Sequence, residues 1–148
     1  MATALDVAAY VLTKFRESGR DVTHMKLQKL LYYAQAWSAV WDERALFDDR
    51  VEAWVNGPVI PSVYTQLRGA FVVRPEQLGT ADANHLTADQ RATVDKVLDF
   101  YGEKDPQWLS DLTHAETPWR EAREGLTPSD RGSNEITLAS MAEYYGGL

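Results

Sequence analysis

THMKLQKLLYYAQAWSAVW, residues Thr23 to Trp41, is the stretch on which the fold turns. Thr23 is a helix-capping residue type, and no glycine or proline interrupts the eighteen residues that follow. Leu27, Leu30, Leu31, Ala34, Trp37 and Trp41 recur at i, i+3, i+4 and i+7, the spacing of one buried helical stripe. At about 100° per residue, Met25, Tyr32, Ala36 and Val40 fall on the opposite side, interrupted mainly by Gln28 and Lys29. A helix apolar on two sides is either central to its own domain or covered by a partner.

Working outward from it, Thr3 caps an earlier helix with Asp6 at its third position, and Leu5, Ala8, Ala9, Leu12 and Phe15 form its stripe before Gly19. On the other side, Val51 to Val55 predicts a short strand, with a segment near Ala45 to Phe47 as its pairing partner. Asn56-Gly57-Pro58 then turns the chain sharply into a helix starting near Pro61, with Val63, Tyr64 and Leu67 inward. Residues 72–86 show no periodicity and predict an irregular connection. Thr87-x-x-Gln90 is a capping box for a long helix over Val94, Val97, Leu98 and Tyr101. Asp105-Pro106 and Thr117-Pro118 each pair a cap with a proline at the first helical position, which predicts two short helices, the first turning Trp108, Leu109 and Leu112 inward. A polar loop, Thr127 to Glu135, precedes a last helix over Leu138, Met141 and Tyr145. The expected fold is mainly α: one compact domain over residues 1–148, about six helices and a minor two-stranded β element.

Composition narrows the function classes. The chain has 148 residues, 45% hydrophobic and 11% aromatic, enough for a packed core and too apolar for disorder. There is no cysteine, which excludes disulfides and thiolate-ligated metal and fits a reducing cytoplasm, the expected location. No apolar run reaches membrane-spanning length, so no membrane partner is expected, and the N-terminus lacks the pattern of a secretory signal. The formal charge is −7, unevenly placed: residues 1–41 hold five basic and three acidic side chains, a net of +2, so the rest carries −9. Such acidity repels phosphate backbones and disfavours general nucleic-acid binding.

Three function classes follow. For an enzyme, the only suggestive cluster is Thr113-His114-Ala115-Glu116, where an imidazole and a carboxylate would meet on a loop. The three histidines stand in separate segments with no metal-ligand spacing, and no phosphate loop or nucleophile elbow is present, so neither catalysis nor a cofactor or metal is expected. For a DNA-binding regulator, the helix pair joined through Glu17 to Val22 superficially resembles a helix-turn-helix, with Thr23, His24, Lys26, Gln28 and Lys29 at its second helix start. Its turn is too long, and the helix behind those residues is heavily apolar. For a protein-interaction module, Tyr32, Tyr33, Trp37, Trp41, Trp54 and Tyr64 concentrate the residue types that anchor interfaces.

KLQKLLYYAQAW (Lys26 to Trp37) and EAWVNGPVIPSVY (Glu52 to Tyr64) resemble the signature of the Panacea domain, the SocA-like or phage-associated GepA-like antitoxin family. THAETPWREAREG (Thr113 to Gly125) and the closing Ile136, Met141 and Tyr144-Tyr145 are similar to that family's end. The resemblance implies a mostly helical bacterial or phage-encoded antitoxin of a toxin-antitoxin system that neutralises a protein toxin, usually encoded next door, by direct binding and occlusion. It also implies an alternative, an adaptor that hands the toxin to a cellular protease. Relatives often carry a DNA-binding segment ahead of this domain, so DNA contact is not expected of these residues alone. The expected partner is a cognate toxin, basic in charge to complement this acidic chain; a homo-oligomer is also admitted. The expected partner-binding residues are Met25, Lys29, Tyr32, Tyr33 and Ala36 on the outward side of the second helix. With them go Trp54, Asn56, Gly57, Pro58 and Val59 around the turn, and Tyr64 beyond it.

Overall fold

The structure is a computed structural model that describes residues 2–148. Its helices start where capping chemistry puts them. α1 (Ala4–Glu17) opens with a reciprocal box: the Asp6 amide donates to Thr3 Oγ1 at 3.1 Å, and the Thr3 amide donates to Asp6 Oδ2 at 3.0 Å. α2 (His24–Trp41) is capped by Thr23, and α3 (Pro61–Leu67) begins on its proline. α4 (Ala88–Tyr101) has the Thr87–Gln90 box and α5 (Pro106–Ala115) the Asp105 cap. α6 (Thr117–Ala122) starts one residue earlier than its sequence suggests, because Glu116 rather than Thr117 takes the extended cap conformation. α7 (Leu138–Gly146) follows the Thr127–Glu135 loop. These seven helices make the described residues mainly helical.

α2 is the central element, packed by α1, α4, α5 and α7. Leu27, Leu30, Leu31 and Ala34 are buried, as the stripe predicts. The second apolar side is covered from within the chain: α7 lays Tyr145 against Tyr32, Tyr33 and Trp37. Tyr32, Tyr33 and Ala36 are therefore core residues at 1%, 0% and 0% exposure, not an open partner-facing side. Two tryptophans run the other way. Trp41, at the last turn of α2, is 45% exposed and stacks on Trp37, and Trp108 is 39% exposed beneath the Lys104 ammonium.

Four short strands, β1 (Val22–Thr23), β2 (Glu52–Trp54), β3 (Gly57–Val59) and β4 (Val72–Val73), form two antiparallel two-stranded sheets, β1 with β4 and β2 with β3. The expected pairing of residues 51–55 with Ala45–Phe47 is not made. Gln35 takes the backbone of that segment instead: its Oε1 accepts from the Leu46 and Phe47 amides and its Nε2 donates to the Phe47 carbonyl. β2 pairs across the Asn56 turn in the register Trp54↔Gly57, and its other edge meets Glu135 through a single bridge. The connection over residues 72–86 holds β4 and two 3-10 turns, Pro75–Leu78 and Ala83–His85, elements too short to show periodicity. Among the described residues, no helix is long and apolar enough to cross a membrane.

Candidate partner-binding groove

The first turn of α2, the β2–β3 hairpin, α3 and the loop at 131–133 enclose an open groove of about 720 Å³. Its apolar wall is aromatic. Tyr64 of α3 stands between His24, whose ring stacks at 5.5 Å between centroids, and Trp54, which meets it edge-on at 4.9 Å. Met25, 40% exposed, forms the rim contributed by α2.

Beneath this wall the polar groups are ordered by the hairpin. Gln28 Oε1 accepts from the Ile60 amide at 2.8 Å, tying α2 to the start of α3, while its Nε2 lies 3.1 Å from His24 Nε2. Burial first, and the nearby Lys29 charge second, push the His24 imidazole below its ordinary value, so the neutral ring accepts from the Gln28 amide. Lys29 is 2% exposed, and its Nζ donates to the Pro58 carbonyl at 3.3 Å. Burial pushes its ammonium down to about 8, and no carboxylate pairs with it among the described residues. Gly57 makes this approach possible. With φ at +118°, it lies so near Lys29 that a Cβ would fall 2.5 Å from Cε and 3.1 Å from Thr113 Oγ1.

The hairpin is clamped from behind by α5 and α6. Ser110 Oγ donates to the Asn56 carbonyl, His114 Nε2 faces the Val55 carbonyl at 2.9 Å, and Trp119 Nε1 donates to the Trp54 carbonyl at 2.8 Å. Arg123, 5% exposed, fastens the groove's far bank: it donates to the carbonyls of Ala53, Thr127 and Asp130. Glu116 does not join His114. It accepts from the hydroxyls of Tyr33 and Tyr145 at 2.7 and 2.8 Å, and burial raises its carboxyl above the ordinary value against those hydrogen bonds. The imidazole and carboxylate of the Thr113–Glu116 cluster are thus committed to different parts of the fold. The polar start of α2 is likewise engaged inward, since Lys26 Nζ donates to the Gly102 carbonyl and both Gln28 and Lys29 are buried.

Of the residues expected to bind a partner, Met25, Lys29, Trp54, Asn56, Val59 and Tyr64 line this one groove. Gly57 and Pro58 form the turn above Lys29, whereas Tyr32, Tyr33 and Ala36 lie in the core. Sequence patterning offered His24 and Gln28 only for the helix-turn-helix reading, and it assigned neither Val55 nor the Arg131-Gly132-Ser133 bank to a partner site. The 131–133 loop carries no signal because its place depends on Arg123 and β2.

No curated protein and no solved structure matches the chain. Residues 27–120 match the family model of the antitoxin SocA-like Panacea domain. That segment contains α2 from Leu27 onward, the hairpin and α3, and so Gln28, Lys29 and the Trp54–Tyr64 wall of the groove but not His24 or Met25; the chain belongs to the SocA-like Panacea antitoxin family.

Proposed function

We propose that this antitoxin-family chain neutralises a cognate protein toxin by direct binding, with the groove face laid over the toxin's active site or substrate path. The observation that supports this reading is the convergence of the α2 start and the Trp54–Tyr64 segment on one open aromatic groove. Tyr and Trp anchors bury large areas at small rotamer cost, and Met25 adds an adaptable apolar rim. The acidic exterior, −9 beyond residue 41, steers a basic toxin toward the molecule before short-range contacts form in the groove. None of these steps asks the antitoxin to perform catalysis or to hold a cofactor.

The test is growth rescue. Co-expressed with the product of the neighbouring open reading frame, the unaltered chain restores growth, and Trp54→Ala combined with Met25→Asp weakens toxin binding at least tenfold while the thermal unfolding curve stays cooperative. Full rescue by the double variant places the interface elsewhere. The amount of toxin in the same cells separates two routes: occlusion leaves it unchanged, and delivery to a protease lowers it.

A further inference from the structure

We infer that the groove seats a carboxylate side chain, an Asp or Glu of the toxin flanked by an apolar residue, with Lys29 Nζ as its charge partner; this rests on the antitoxin reading above. The groove's charge is opposite to that of the molecule. Its lining includes the cations Lys29 and Arg131, the neutral His24 ring and no Asp or Glu, in a chain of net charge −7. Arg131 is exposed and forms no ion pair among the described residues, and the nearby Glu52 is already taken by Arg50 and by Trp54 Nε1. Lys29 has three N–H donors, of which the fold uses one, on the Pro58 carbonyl.

A buried ammonium without a counter-charge is costly, and among the described residues only the Pro58 carbonyl, and no carboxylate, offsets it. A carboxylate entering along the groove completes the pair and takes the spare donors. The aromatic wall of Trp54 and Tyr64, with Met25 at the rim, receives the apolar residue beside it. A phosphate group asks for more. Multiply charged phosphates are held by convergent guanidinium groups or free helix N-terminal amides. Here the single guanidinium is on the far bank, and of the first three α2 amides Lys26 is capped by Thr23 and His24 donates to the Phe71 carbonyl, which leaves Met25 alone rather than a convergent set.

The first test uses the full chain with ¹³C-labelled methionine methyls and lysine Cε, and three probes: 3-phenylpropanoate, its neutral amide, and inorganic phosphate. 3-Phenylpropanoate should shift the Met25 and Lys29 signals saturably in the millimolar range, with the amide and phosphate at least tenfold weaker. Lys29→Met should abolish the Met25 shift in a spectrum that stays dispersed, and Arg131→Met, at an exposed position, should weaken it severalfold. Equal response to the amide, or retention in Lys29→Met, overturns the site; equal response to phosphate overturns its carboxylate character. The second test scans the toxin's Asp and Glu residues to Asn and Gln. One substitution should cost the same factor, tenfold or more, as Lys29→Met and have no further effect in the Lys29→Met background. Unchanged toxin affinity in Lys29→Met overturns the inference. A chain that takes 3-phenylpropanoate but binds no toxin overturns the antitoxin reading and the toxin as occupant, so the two failures are told apart.

Discussion

Lys29 places an ammonium among the buried residues of α2, whose other buried polar groups, Gln28, Gln35 and Ser38, carry no charge, and burial sets its protonation. Burial holds its folded-state value at about 8 against an ordinary 10.5. Between those values the unfolded chain binds the proton and the folded chain does not, so stability rises with pH from about 8 upward. Above about pH 10 the buried Tyr32, Tyr33 and Tyr145 reverse the trend. Burial favours their neutral forms and raises their values, so the unfolded chain then releases protons more readily than the folded one. Urea unfolding of the free chain should therefore show stability climbing between pH 8 and 10. Lys29→Met should reduce that climb to the part that the half-buried, likewise lowered Lys26 supplies, and be more stable at pH 7 by about 2 kcal/mol, the relieved charge less the lost hydrogen bond to Pro58. A slope unchanged by the substitution assigns the effect to another group. A lysine that weakens its own fold is understandable where its charge serves a partner.

At the scale of elements, the β2–β3 hairpin and the α2 start form one unit through Gly57. Gly57→Ala meets two obstacles, a positive φ and the Lys29 side chain inside van der Waals distance, and should lower stability by about 2–4 kcal/mol in denaturant unfolding. A loss below about 0.5 kcal/mol would mean that the hairpin shifts freely over Lys29. The turn was legible in Asn56-Gly57-Pro58, since few residue types accept that backbone, but its reason was not: the neighbour lies 28 positions away. The same limit explains α2. Its two apolar sides are plain in the periodicity of Thr23 to Trp41, while the cover over Tyr32 comes from Tyr145, 113 residues along, whose hydroxyl lies 3.0 Å from that of Tyr32. Caps and stripes are local and were readable at Thr3, Thr23, Thr87 and Asp105. The pairing of β2 was not, because Gln35 had first claim on the backbone at Leu46 and Phe47. The groove was half legible for the same reason: Trp54 and Tyr64 stand in one continuous segment, and Arg131 reaches it only through the fold.

For the whole molecule, the family match ends at residue 120 but the packing does not. α7 buries Met141 and Tyr145 at 1% exposure each, and Tyr145 donates to the Glu116 carboxylate that also accepts from Tyr33 of α2. α1 buries Val7, Val11, Leu12 and Phe15, and its Asp6 reaches out of the capping box to accept from the Asp82 amide and the His85 ring. Each fully buried large apolar side chain contributes roughly 1.5–3 kcal/mol. Removing α7 alone thus forfeits several kcal/mol, and it leaves Tyr32 and Glu116 facing water across a broken hydrogen-bond network. Removing α1 forfeits as much again. Net stabilities of about 5–15 kcal/mol do not survive both losses. A fragment trimmed to residues 27–120 should therefore show no cooperative thermal transition and rapid proteolysis, whereas the chain over residues 2–148 should melt in one step by circular dichroism and resist the protease. A chain ending at residue 137 should fall between them, with a lowered midpoint and a toxin affinity that recovers on cooling, because the groove residues themselves are intact. A cooperative melt for the 27–120 fragment would mean that α1 and α7 are accessories to the fold, and that the cover over Tyr32 and Tyr145's hold on Glu116 contribute little to it.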